Sequence, residues 1–82
     1  MSVARSIVYL NSSKSTVKLI VEPWSEHYLV ASGEEVEILG EGGEINAKME
    51  MEQFENELVI HAWVGSVVRV LKNGVEASPS SQ

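Results

Sequence analysis

The stretch EINAKMEME, Glu44 to Glu52, decides how this chain is read. Ile45, Ala47, Met49 and Met51 alternate with Asn46, Lys48, Glu50 and Glu52, the period of a strand with one wet face. On a helix the same apolar positions would scatter around the whole circumference, because residues sharing a helical face lie three and four apart. The pattern recurs on both sides. EEVEIL sets Val36 and Ile38 against Glu35 and Glu37, TVKLIVE puts Val17, Leu19 and Val21 on one face, and SVVRVLK does the same with Val68 and Val70. β-Branched residues dominate the last two, which suits a pleated, half-buried surface.

Turn chemistry separates these runs at the spacing of an antiparallel all-β domain. NSSKS follows Leu10 as a polar loop, and GEGGE, Gly40 to Glu44, reads as a tight connection. Pro23 cannot donate to a ladder and biases Glu22 toward an extended conformation, so a strand ends there. Asn73 and Gly74 are the strongest hairpin signal, since a type I′ turn needs positive φ at both central positions. The strands expected are Ser6 to Leu10, Thr16 to Glu22, Tyr28 to Ala31, Glu35 to Leu39, Glu44 to Glu52, Glu57 to Trp63, Ser66 to Lys72 and a short Val75 to Ala77. No segment has a helical period. The fold predicted is a compact antiparallel β-sandwich of jelly-roll type, with a small β-barrel as the alternative. It occupies residues 1–76 as one domain, and residues 77–82 form a polar tail expected to be disordered.

With 82 residues and no cysteine, the core is small and has no disulfide to reinforce it, and thiolate metal sites and thiol nucleophiles are excluded. Dimerisation would add burial, and a homo-oligomer is expected. The net charge is −6, all twelve acids are Glu, and nine of them fall between Glu34 and Glu57, where Lys48 is the only base. A field of that sign repels phosphate backbones and anionic lipid, so neither nucleic acid nor a membrane is an expected partner. MSVARSIVYLN lacks a charged region followed by a long apolar run, and no window approaches about 18 apolar residues. These features predict a soluble, cytoplasmic protein of bacterial type.

The densest cluster of chemistry-bearing side chains is VEPWSEHYLV, Val21 to Val30. Trp24 at a strand end can lid the core or anchor a partner, and Tyr28 presents the same choice. Together with Glu22 and Glu26 they form the candidate binding corner. His61 lies in ELVIHAWVG, a strand with both faces largely apolar. Such a strand is central in a sandwich or buried against a second subunit, which makes Val59, His61 and Trp63 the candidate interface, with His61 sensitive to pH near neutrality. A metal alternative joins His27 and His61 with Glu26 or Glu22 as a two-His, one-carboxylate set for a divalent transition metal. No catalytic residue is assigned. The serines have no elbow motif around them, and GEGGE lacks the lysine and following helix of a phosphate loop.

VEPWSEHYLVASGEEVEIL, followed by the WVGSVVRV strand and the KNG turn, resembles a group of short, uncharacterised bacterial all-β proteins. That group shares a V-E-P-W-x-E-x-Y opening, a Gly-acid start to a strand and a late strand before a Gly turn. The likeness spans roughly Ile20 to Val75 and carries no activity. SGEEVEI is also similar to the strand-opening phrase of cupin-like jelly rolls, although the clustered histidines of cupins are missing and the chain is short for their double-motif barrel. Two functions follow as expectations: a non-enzymatic β-domain for protein–protein binding or assembly, the homodimer included, and alternatively a minimal cupin-like protein holding a metal or small ligand.

Overall fold

Alternation in Val17, Leu19 and Val21 against Lys18, Ile20 and Glu22 buries the first three side chains and leaves the others at an outer face. The computed structural model describes residues 4–80, and every element in that span is a strand. They are β1 (Ala4–Leu10), β2 (Val17–Glu22), β3 (Glu26–Val30), β4 (Glu35–Gly42), β5 (Glu50–Gln53), β6 (Glu57–His61), β7 (Ser66–Lys72) and β8 (Val75–Glu76). Two four-stranded sheets, β1-β4-β7-β8 and β3-β2-β6-β5, pack face to face as a small β-sandwich. The core lies between Leu19, Val21, Tyr28, Val30, Leu58 and Ile60 on one sheet and Val36, Ile38, Val68 and Val70 on the other. All pairs are antiparallel except β2–β6, which runs parallel with Lys18 opposite Glu57.

The GEGG segment departs from its expected role as a turn. β4 continues through Gly40 to Gly42, and Gly40 is buried opposite Arg5 and Val68. Its missing side chain is the seat of Trp63, because a Cβ there would lie 2.7 Å from the six-membered ring. The indole N–H donates to the Gly42 carbonyl at 2.8 Å, and the Arg5 guanidinium lies 5.0 Å from the ring centroid. Arg5 also donates to the Ile45 carbonyl.

The Met-containing stretch is strand only at its end. β5 covers Glu50–Gln53 with all four residues exposed, and Ile45 sits in a turn at 73% exposure. The reason lies in its partner. Glu50 pairs with His61, and β6 stops at His61, so residues 44–49 have no ladder to join. Only Met49 of that stretch packs against the core, with Ala47 half-buried.

At the opposite mouth of the sandwich, Asn11 is fully buried and tied to both loops around it. Its Nδ2 donates to the carbonyls of Ser15 (2.9 Å), Val30 (2.9 Å) and Ala31 (3.2 Å). Its Oδ1 accepts from the Ser13 amide (3.1 Å) and hydroxyl (2.7 Å). The Asn11 amide donates to Glu34 O at 3.0 Å and its carbonyl accepts from Gly33 N at 2.7 Å. The Ala31–Glu34 turn closes with Glu34 N donating to Ala31 O, and the Glu34 carboxylate accepts from the Ala31 amide at 2.9 Å. That amide holds the Glu34 carboxyl below its ordinary range, with Lys72 helping.

Asn73 and Gly74 have φ of 54° and 77°, as the hairpin reading requires. The expected tail begins at Ala77, whose amide donates to Val70 O and whose side chain packs on the core, and Ser80 N donates to His27 O at 2.6 Å. Ser81 and Gln82, the end of that tail, lie outside the described residues, as do residues 1–3.

Candidate functional site

The β2–β3 corner is built by the residues that make it conspicuous in the sequence. β2 ends at Glu22, the Glu22–Pro23 bond is cis, and Ser25 has φ of 55°, in the left-handed region that a serine seldom occupies. The Glu22 carboxylate accepts from both the Ser25 amide and the Ser25 hydroxyl at 3.0 Å, which fastens the turn from inside. Its own carbonyl accepts from Ala62 N at 3.0 Å, joining the corner to the segment after β6. Glu22 is therefore a brace for the turn.

Trp24 rides on this turn at 45% exposure and does not lid the core. With Glu26, Val67 and Val68 it lines an open hollow of about 210 Å³. Tyr28 takes the other side of the choice the sequence left open. It is buried, and its hydroxyl donates to Glu26 Oε1 at 3.3 Å. Burial, then the neighbouring Glu26 carboxylate, push its phenol up to about 12. Of the four residues expected at the corner, Trp24 and Glu26 face the hollow, Glu22 braces the turn and Tyr28 belongs to the core.

The candidate interface triplet is divided in the same way. Val59 is buried on the outer side of its sheet, where it pairs with Ile20 on one side and Glu52 on the other. His61 is half-buried, with Nε2 at 3.2 Å from Glu52 Oε1. Trp63 does not share their face. β6 ends at His61, so the two-residue period stops there, and the chain turns Trp63 into the core at 7% exposure. Of the two tryptophans, Trp63 fills the core and Trp24 stands outside it.

His27 and His61 lie on the outer face of one sheet with β2 between them. His27 pairs with Ile20 and His61 with Glu22, a separation of two strand spacings, roughly 10 Å, plus a two-residue offset. Glu26 points to the opposite face with Tyr28, since successive strand residues alternate. The set His27, His61 and Glu26 is consequently split across the sheet, and in the Glu22 alternative the carboxylate is turned onto the Ser25 amide and hydroxyl. Among the described residues no group of three or more His, Asp or Glu is placed to hold a metal ion.

No protein-family model matches the chain, nor does any curated protein or solved structure.

Around the mouth that carries Trp24, further apolar side chains stand in solvent. Val67 is exposed beside the hollow, and Val64 and Ile45 are exposed on the β6–β7 and β4–β5 connections. Glu44, Ala47, Ala62, Trp63 and Val64 line a second hollow of about 520 Å³ there. A sequence signal for this mouth existed. Gly65 follows Val64 directly, and the Val64–Gly65 pair forms the β6–β7 turn that leaves Val64 in solvent. No described helix is long and apolar enough to cross a membrane.

Proposed function

We propose that the chain is a non-enzymatic β-domain for protein binding and assembly, and that the Trp24 corner is its recognition surface. One observation carries this reading: a half-exposed tryptophan is held on a braced turn over a hollow whose other walls are Val67, Val68 and the Glu26 carboxylate. Tryptophan is the residue most enriched where interfaces concentrate their energy, and a surface fixed before binding loses little entropy on binding. An apolar wall with one carboxylate, on a chain of net charge −6, suits a partner segment that sets an aliphatic side chain beside a lysine or arginine.

The test starts from capture by the full chain in parallel with Trp24→Ala, followed by purification of the captured protein and titration against both forms. A directly binding partner whose Kd rises at least about tenfold with Trp24→Ala supports the reading, since a central tryptophan carries about 2 kcal/mol or more. Equal affinity for the two forms, with the variant folded, removes the corner from recognition.

A further inference from the structure

We infer that the outer edge of β1 is a self-pairing seam, and that two copies of this chain join there as one continuous eight-stranded sheet across a two-fold axis. The inference deepens the assembly reading above and rests on it, adding the surface and the register.

The direction of each β1 backbone group follows from two separate hydrogen bonds. At one end, Asn11 N donates to Glu34 O, so Asn11 faces the β4 side, and by alternation so do Tyr9, Ile7 and Arg5. From the other side of the sheet, Ala77 N donates to Val70 O, so Val70 faces β8. Leu71, Arg69 and Val67 then face β4, and their partners Glu37, Leu39 and Glu41 face β7. That leaves Val36, Ile38 and Gly40 facing β1, opposite Tyr9, Ile7 and Arg5. Both routes give one answer: Ala4, Ser6, Val8 and Leu10 turn their N–H and C=O groups to the open edge.

The other three edge strands are closed, short or charged, and beyond β8 the edge of β7 is open only over Ser66 to Arg69. On β3 the outward carbonyls are His27 O and Leu29 O; the first accepts from Ser80 N and the second from Lys72 Nζ at 2.8 Å. β5 has four residues, two of them Glu50 and Glu52, and β8 has two, one of them Glu76. β1 has seven residues, no proline and no acid. Its single charge, Arg5, is drawn back over Trp63 and onto Ile45 O. Charged, short or covered edges are how sheets avoid pairing, and among the described residues β1 has none of these devices.

Charge also permits a second copy at this edge. Two chains of net charge −6 repel, and β1 is the edge strand on which no carboxylate would meet its counterpart. The antiparallel register that overlaps all seven residues puts Ile7 on the axis. It exchanges ladder bonds between Ser6 and Val8 of the second copy, and between Ala4 and Leu10. On the outer face Val8, now 59% exposed, comes beside Ser6, and Leu10, now 52% exposed, beside Ala4, so small residues meet large ones. On the inner face Arg5 comes beside Tyr9.

Sedimentation of the full chain across about 1 μM to 1 mM, a range suited to a small interface, tests this alongside Val8→Pro and Val8→Lys. The Val8 amide is not used by β4, so proline there deletes two bonds of the seam while sparing the ladder of the single chain. The lysine variant repeats the test without constraining the backbone. The expected result is a concentration-dependent dimer whose association constant falls at least about tenfold in either folded variant. In the parent, exchange of the Ser6, Val8 and Leu10 amides slows as concentration rises, while the Ile7 and Tyr9 amides are protected throughout. A dimer of unchanged strength in both variants overturns the seam and leaves the assembly reading standing. A parent that is monomeric over the whole range overturns the seam together with self-assembly, and the Trp24 titration then decides the recognition reading separately.

Discussion

Replacing Asn11 tests the reasoning about the polar mouth, because one buried amide there serves five hydrogen bonds. Asn11→Ala removes all five. Each contributes about 1 kcal/mol net, but the Ser13 and Ser15 partners lie in an open loop where water can replace the amide, so the expected loss is about 2–4 kcal/mol. A domain of this size is stable by about 4–12 kcal/mol, so the midpoint of thermal unfolding should fall by roughly 10–30 °C. Asn11→Asp separates hydrogen bonding from volume. The new carboxylate keeps the acceptor for Ser13 but sets a second oxygen against three carbonyls, so at neutral pH it is more harmful than alanine. Its folded-state pKa is raised above the ordinary value of about 3.9, so the penalty is absent below that pH and grows by about 1.4 kcal/mol per unit above it until the folded group also ionises. Urea unfolding followed by tryptophan fluorescence, at pH 4 and pH 7, measures both effects with an unchanged m-value. A loss under about 0.5 kcal/mol for Asn11→Ala, or an Asn11→Asp variant no weaker at pH 7 than at pH 4, would refute the hub.

Two further outcomes follow from the core. Tyr28 has its phenol raised to about 12 from an ordinary 10, so the neutral form is favoured in the folded state. Its contribution is complete below pH 10 and is lost as pH rises from 10 to about 12, by about 1–2 kcal/mol once solvent screening of the partly exposed hydroxyl is counted, and Tyr28→Phe should remove that alkaline limb from a stability–pH profile. Gly40→Ala should destabilise by about 1–3 kcal/mol because Trp63 must leave its seat, with a shift in tryptophan emission marking the displacement. Gly74→Ala meets no atom within 4 Å and is strained only through its φ of 77°, so it should leave that emission unchanged.

Local chemistry was legible and distant fit was not. The alternation in Val17 to Glu22 and the Asn73–Gly74 pair each state their conformation within a few residues, and both stand in the structure as expected. The length of β5 depends on where β6 ends, which nothing in residues 44–49 encodes. Gly40 resembles a turn glycine because its purpose, the Trp63 ring, lies 23 positions later, counted from 40 to 63. Asn11 in NSSKS looks like any loop asparagine, since its burial comes from the carbonyls of Val30 and Ala31. At the site, the period of two carried Trp63 to the wrong face because the strand stops two residues earlier. Pro23 marks the corner that carries Trp24, but the exposure of Trp24 depends on how β7 passes beneath it.

The parallel pairing of β2 with β6 has a kinetic consequence. Lys18 and Glu57 meet only after the chain between them, 39 positions from 18 to 57, has been drawn into a closed loop. The hairpins β2–β3, β5–β6 and β7–β8 close over short spans and can form on a scale of about 1–10 μs. None of them has a covered face by itself. Refolding should therefore be limited by the β2–β6 closure and fall in the range of milliseconds to seconds typical of sandwiches dominated by non-local pairing. A substitution that loosens the outer strands of a hairpin should then accelerate unfolding far more than it slows the return.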